Sequence, residues 1–244
     1  MKMPLYLKIR NHIFDKLQVM DAPTLAWLKK RLEFNETKIL EIKKAFKPLN
    51  KDIFLKFIPP PDWFINSSRV LSIHGESHAL RVMIFAYIIC NLGKIKNYEK
   101  YLISSSIHDV SRTSDTDDPN HGERVSQWFL RNTGLFNNLN KKDIEEISMA
   151  VKYHDTDYNL IPRDILLKFG SMINVLKCAD ALDRFRLPKE NWFPKKEFLK
   201  INLPDSLFDL SKKLVYETEN LIINKNFTPS AAVIQINSEL DLIT

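Results

Sequence analysis

The sequence predicts an all-α fold, a helical bundle with additional N- and C-terminal helices. Only 5 of its 244 residues are Gly. Alternating apolar–polar runs bounded by turn residues are scarce, and apolar positions recur three and four residues apart, the period of helices. Apolar residues make up 44% and charged residues 27%, ordinary for a soluble globule. The length suits one large domain, or a core domain with helical additions.

The elements follow in order. Residues 1–61 form an N-terminal helical extension expected to pack on the core, with one or two amphipathic helices between Thr24 and Phe46. The run Pro59–Pro60–Pro61 breaks that pattern and marks the boundary. Residues 62–188 form the central domain. Its first helix starts near His78, which shares a face with Val82, Phe85, Ala86 and Ile89. A second runs from about Tyr98 to Asp109, with Ser104, Ser105 and Ser106 small enough for close helix approach. A loop from Ser114 to Asn120 carries Asp115, Asp117 and Asp118 and is expected to be a solvated turn. His121 then opens a third helix in register with Val125, Trp128 and Phe129. The fourth is capped by Asn140 and ends its Ile144, Ile147, Val151 stripe at His154, with Asp155 and Asp157 closing it in solvent. The fifth is expected over Ser171–Leu187, capped by Ser171 and stopped by Pro188, with Ile173, Leu176, Asp180 and Asp183 on one stripe. Residues 189–244 form a C-terminal extension with helices near Ser206–Asn224 and Ser230–Leu242.

Composition also bounds the function. The net charge of +6 lies largely on Lys spread along helices, as in Lys29–Lys30 and Lys43–Lys44. That is a solvated surface; a nucleic-acid partner is not expected, whereas an anionic small substrate is compatible. Cys90 and Cys178 lie in apolar helical stretches and read as buried free thiols, which makes a cytoplasmic location the default. The stretch Met1–Leu17 is broken by Lys8, Arg10 and Asp15 and lacks a signal-peptide core, and the apolar run Val82–Cys90 is too short for a membrane span.

The chemistry lies in six side chains aimed inward from successive helices: His78, His108, Asp109, His121, His154 and Asp180. Buried imidazoles and carboxylates are costly unless paired, so a convergent set of them points to one or two metal ions. His108 and Asp109 are adjacent and diverge by about 100° on a helix, so Asp109 can bridge two ions. Two alternatives attach to single members. His121 can instead cap its helix or contact the acidic loop, and His154 can donate to a backbone carbonyl. Imidazole and carboxylate donors suit Mn, Fe, Co, Ni or Zn, and Mg less well.

In its order and local contexts the set resembles the HD-domain metal-dependent phosphohydrolase superfamily. The matching contexts are HALRV at His78, IHDVSR at His108–Asp109, HGERV at His121, AVKYHD at His154 and KCADALDRFRL at Asp180. The resemblance covers residues 70–190 and implies an HD-type helical bundle with His78, His108, Asp109 and Asp180 as core ligands. The two further histidines resemble the subset that holds two metals. The HD-GYP signature is absent, which argues against a cyclic-dinucleotide phosphodiesterase of that type.

The expected function is hydrolysis of a small phosphorylated metabolite or nucleotide, as a monoester or diester, by metal-activated water. Arg81, Arg112 and Lys177 stand one turn from a ligand and are candidates to neutralise phosphoryl oxygens. Asp183 is expected either to orient a His N–H or to pair with Arg184. His74, before Gly75, can contact substrate, donate a proton, or serve only as a turn residue. Two other readings compete: a di-iron oxygenase of the same superfamily, and a non-catalytic ligand-sensing module in which the cluster is structural.

Overall fold

The protein, described by a computed structural model over residues 2–244, is helical throughout, and the described residues contain no β-strand. Four short helices come first: α1 (Leu5–Arg10), α2 (Ala22–Lys29), α3 (Glu36–Lys43) and α4 (Lys51–Lys56). The centre is α5 (Glu76–Leu92), α6 (Glu99–Ile107), α7 (His121–Arg131), α8 (Lys141–Tyr153) and α9 (Arg163–Asp183). Two more, α10 (Asp205–Lys225) and α11 (Pro229–Glu239), close the chain.

Local chemistry accounts for many of the helix starts. The side chains of Asp21, Asn35, Asn50, Asn140 and Thr228 each accept a hydrogen bond from a backbone N–H of the first helical turn. The region between Thr24 and Phe46 resolves into two helices, α2 and α3, because Asn35 caps a new start. One helix departs from its expected bounds at both ends, closing at Asp183 rather than Leu187. The fifth central helix begins at Arg163, directly after Pro162, rather than at Ser171. Gly170 and Ser171 simply lie within it, and nothing approaches within 4 Å of where a Gly170 side chain would begin. Proline fixes the chain at the start of a helix more firmly than an interior Ser marks one.

Every residue of α5 from Glu76 to Cys90 is buried. It is enclosed by α6, α9 and α11, while α8 packs beside α6 and α9 and carries the antiparallel α7 on its other side. Ser104, Ser105 and Ser106 are fully buried on α6, and their small size allows that packing. The terminal helices share the same core. One apolar cluster runs through Leu28, Ile39 and Phe54, through Leu80, Phe85 and Val151, and on to Leu214 and Ile236. The N- and C-terminal segments also meet directly: Leu49 N–H donates to Leu242 O at 2.9 Å, and Thr244 N–H donates to Leu49 O at 2.9 Å. After Pro59–Pro60–Pro61 the chain turns back, and Trp63 packs on Trp128 and Phe136 with ring centroids 5.4 and 5.3 Å apart. Cys90 and Cys178 are buried free thiols. No described helix is long and apolar enough to cross a membrane.

Candidate metal centre

Five segments deliver the six candidate ligands to one place. His78 comes from the first turn of α5, and His108 and Asp109 from the turn that ends α6. His121 is the first residue of α7, His154 is the C-cap of α8, and Asp180 lies in the last turn of α9. The imidazoles form an edge-to-face chain, His78–His108–His154–His121, with centroid spacings of 4.8, 5.1 and 4.8 Å.

The outer ring nitrogens are all committed. His108 Nδ1 donates to Ser105 O at 2.7 Å, His154 Nδ1 to Val151 O at 2.7 Å, and His121 Nδ1 to Asp118 O at 2.8 Å. Carbonyl oxygens can only accept, so those protons are fixed on Nδ1. His78 Nδ1 donates to Asp183 Oδ2 at 2.7 Å. The inner nitrogens are left facing one another: His78 Nε2 lies 3.0 Å from His108 Nε2, and His121 Nε2 lies 3.0 Å from His154 Nε2. Two lone pairs at that distance repel unless a cation, a proton or a metal, sits with each pair. The alternatives for His121 and His154 therefore coexist with ligation: one nitrogen holds the backbone, and the other faces the cluster.

Carboxylates complete two donor clusters. Near the first pair, Asp180 Oδ1 is 3.3 Å and Asp109 Oδ2 is 3.6 Å from His78 Nε2. Near the second, Asp109 Oδ1 is 3.2 Å from His121 Nε2 and 3.5 Å from His154 Nε2. Asp109 thus offers one oxygen to each cluster. Its Oδ1 is buried without a hydrogen-bond partner, a costly state that a bound cation would relieve. Groups drawn from these residues, among them His78, His108 and Asp180, place donor atoms within 4.8 Å of one another and can hold a metal ion. Both nitrogen–oxygen composition and the shared carboxylate fit divalent transition metals.

The electrostatics match two cation positions. Burial lowers the His78 pKa, but Asp109, Asp180 and Asp183 outweigh it and carry it up to about 9. Burial opposes His121 too, yet Asp109 and Asp155 push it up to about 10. His108 is lowered to about 3, chiefly by burial. Each imidazole pair thus favours one positive charge near neutral pH. Asp109 and Asp180 stay ionised, since the surrounding imidazoles outweigh their burial.

Two glycines set the backbone approach. A Cβ on Gly122 would lie 2.5 Å from Lys152 O and 2.7 Å from Val151 O, so only Gly lets α7 meet the end of α8 and bring His121 to His154. At Gly75, before α5, a Cβ would lie 2.3 Å from Val70 O.

The other expected site residues divide. Asp183 receives the His78 N–H, and its charge partner is Arg81 rather than Arg184: Arg81 Nε donates to Asp183 Oδ1 at 2.6 Å. Arg81 Nη1 donates to Glu219 Oε1 at 2.8 Å, so Arg81 is wholly buried between two carboxylates and does not reach the cavity. Glu219 belongs to α10, which makes the C-terminal extension a buttress of the first cluster. Lys177 is also drawn away. Its ammonium donates to His154 O at 2.8 Å and Thr156 O at 2.7 Å, closing the end of α8. Arg112 does line the cavity, with Nη1 3.1 Å from His121 Nε2. His74 lines it as well, its Nδ1 lying 2.9 Å from Asp109 Oδ2 and 3.0 Å from Arg186 Nη2. Burial, Arg112 and Arg186 hold its pKa well below the ordinary value, so the ring is neutral, a poor state for donating a proton to a leaving group.

Three contributors were not legible beforehand. Arg186, in a 3₁₀ turn after α9, is buried against His74 and His78. Glu219 closes the Arg81 ion pair. Asp155, expected only to end a helix in solvent, instead contacts His121 Nδ1 at 2.9 Å. The acidic loop differs as well. Asp115 is buried, accepting from Gln18 N–H at 2.6 Å and pairing with Arg69, and Asp118 accepts from Thr113 N–H at 2.7 Å. These carboxylates order the loop as one wall of a cavity of about 1110 Å³ that opens over the donor clusters. Ile73, Leu187 and Trp192 also line it.

No protein-family model matches the chain, and no curated protein or solved structure matches it.

Proposed function

We propose that the protein is a metal-dependent phosphohydrolase of the HD type that cleaves a small phosphorylated metabolite. The observation that carries this reading is the pairing of two donor clusters with two guanidiniums, Arg112 beside His121 and Arg186 beside His78. Ions held by the six ligands would supply Lewis-acid polarisation of a phosphoryl group and activation of water near neutral pH. The chain does the rest. Asp183 and the carbonyls of residues 105, 118 and 151 fix the imidazoles so that their lone pairs face inward. Arg112 and Arg186 stand ready to offset phosphoryl charge, which is why a phosphoester fits this cavity better than an uncharged substrate. In the reaction the water oxygen bonds to phosphorus, the phosphorus–ester oxygen bond breaks with its electron pair on the leaving oxygen, and a water proton ends on the released alcohol.

The test is a panel of phosphomonoesters and phosphodiesters incubated with the purified chain and Mn²⁺, Co²⁺ or Ni²⁺. Metal-dependent release of phosphate or alcohol is the expected result. A chain that binds metal yet turns over nothing, or that consumes O₂ when loaded with iron, would overturn the reading.

A further inference from the structure

The cations near the donor clusters are not equivalent. Arg81 is neutralised by Asp183 and Glu219, Arg69 by Asp115, Arg124 by Asp118 and Lys152 by Glu123. Arg112 and Arg186 are different: each is anchored through Nε to a backbone carbonyl, which takes a hydrogen bond but no charge. Arg112 Nε donates to Ser114 O at 2.8 Å, and Arg186 Nε donates to Ile73 O at 2.5 Å. Their nearest carboxylate contacts are long, 3.6 Å from Arg112 Nη1 to Asp109 Oδ1 and 3.5 Å from Arg186 Nη1 to Asp183 Oδ2.

Arg186 is the sharper case. It is 2% exposed, and its Nη1 has no hydrogen-bond partner. A buried guanidinium with idle N–H groups is costly and calls for an anion. Its Nη2 lies 3.4 Å from His78 Nε2, as Arg112 Nη1 lies 3.1 Å from His121 Nε2. Those two imidazole nitrogens are the ones a metal would take. A metal on those nitrogens leaves Arg112 Nη1 without an acceptor there, and Arg186 Nη1 has none in any case, while Arg186 Nη2 keeps His74 Nδ1 at 3.0 Å.

We infer that Arg186 and Arg112 clamp the two ends of a terminal phosphate, so that the substrate is a phosphomonoester and not a phosphodiester. The inference rests on the phosphohydrolase reading. Two cation positions can engage two phosphoryl oxygens. A diester spreads one negative charge over two non-ester oxygens that the cation positions already engage, whereas a monoester adds a third oxygen and a second charge for the arginines. Arg186 is the specificity-determining member, because its charge is buried and its Nη1 donors are idle.

The test uses the whole 244-residue chain loaded with metal and two probes, methyl phosphate with three non-ester oxygens and dimethyl phosphate with two. Affinity is read by calorimetry and bound metal by elemental analysis. The wild type should hold methyl phosphate at least ~10-fold more tightly than dimethyl phosphate, the scale of a charge-assisted hydrogen bond. Arg186→Gln should weaken methyl phosphate by ~10- to 100-fold, move dimethyl phosphate by less than ~3-fold, and keep its metal. Arg186→Lys, which retains charge but not the fork, should fall between them and serves if the Gln variant does not fold. Equal wild-type affinity for both probes, or an Arg186→Lys protein with undiminished preference for methyl phosphate, would overturn the inference while leaving phosphohydrolysis standing. A wild-type chain that binds no metal would sink both, and is told apart by the elemental analysis.

Discussion

Replacing Gly122 by Ala should cost the protein its second cation and spare its first. The new methyl group would sit 2.5 Å from Lys152 O, 2.7 Å from Val151 O and 2.9 Å from Asp155 Oδ1. Two of those atoms are backbone at the end of α8 and cannot swing aside. Reaching an ordinary contact of 3.4 Å forces α7 and α8 apart by about 1 Å. His121 is the neighbouring residue and moves with α7, so its 3.0 Å approach to His154 opens by a similar amount. Metal–ligand distances tolerate only about 0.2 Å. Affinity at the His121–His154 cluster should fall by ~10- to 100-fold, as when a supporting contact is lost. The strain itself should destabilise the fold by ~1–3 kcal/mol, lowering the melting temperature by ~2–12 °C for a chain of this size. Calorimetric titration with Mn²⁺ should show one tight site where the wild type shows two, and a thermal melt should record the shift. A Gly122→Ala protein with two wild-type sites and an unchanged melt would refute the claim that this close approach builds the cluster.

Other outcomes follow from the same geometry. His78 and His121 keep their protons up to about 9 and about 10 without metal. Both values lie above the unfolded value of about 6.5. Their stabilising contribution is complete below that value and is lost as pH rises through 9–10, so the metal-free protein should melt at progressively lower temperature from neutral pH upward. Full metal loading at pH 7.5 should release about two protons per chain, measured by calorimetry in buffers of different ionisation enthalpy; release of none would contradict the protonated pairs. Asp183→Asn keeps an oxygen for His78 Nδ1 but removes the charge facing Arg81, and should weaken metal binding at the first cluster by ~10- to 100-fold while sparing the second. Lys177→Met should lower stability by ~1–3 kcal/mol through lost hydrogen bonds to the His154 and Thr156 carbonyls just after α8, read as a lower melting temperature.

The six inward-facing donors were legible because each sits in register with apolar neighbours, as His78 does with Val82, Phe85 and Ile89. Register tells which way a side chain leaves its helix. It does not tell what a long side chain meets at its far end. Arg81 shares the His78 face, as expected, yet its guanidinium is captured by Glu219, 138 residues away. Lys177 shares the Asp180 face, yet its flexible stem carries the ammonium back to carbonyls 21–24 residues earlier. Asp155 follows a helix end, where carboxylates are common in solvent, and only the packing of α7 on α8 brings it to His121. Arg186 lies in a 3₁₀ turn, outside any periodic stripe, so no spacing rule could mark it. The helices themselves were read where a cap coincided with a stripe, as at Asn140, and misplaced where Ser171 imitated a cap inside α9.

The most direct measurement is anomalous diffraction from crystals of the protein grown with Mn²⁺. It should reveal two peaks, one bounded by Nε2 of His78 and His108 with Asp180, the other by Nε2 of His121 and His154, with Asp109 giving one oxygen to each. Peaks confined to the surface, or none at all, would contradict the account.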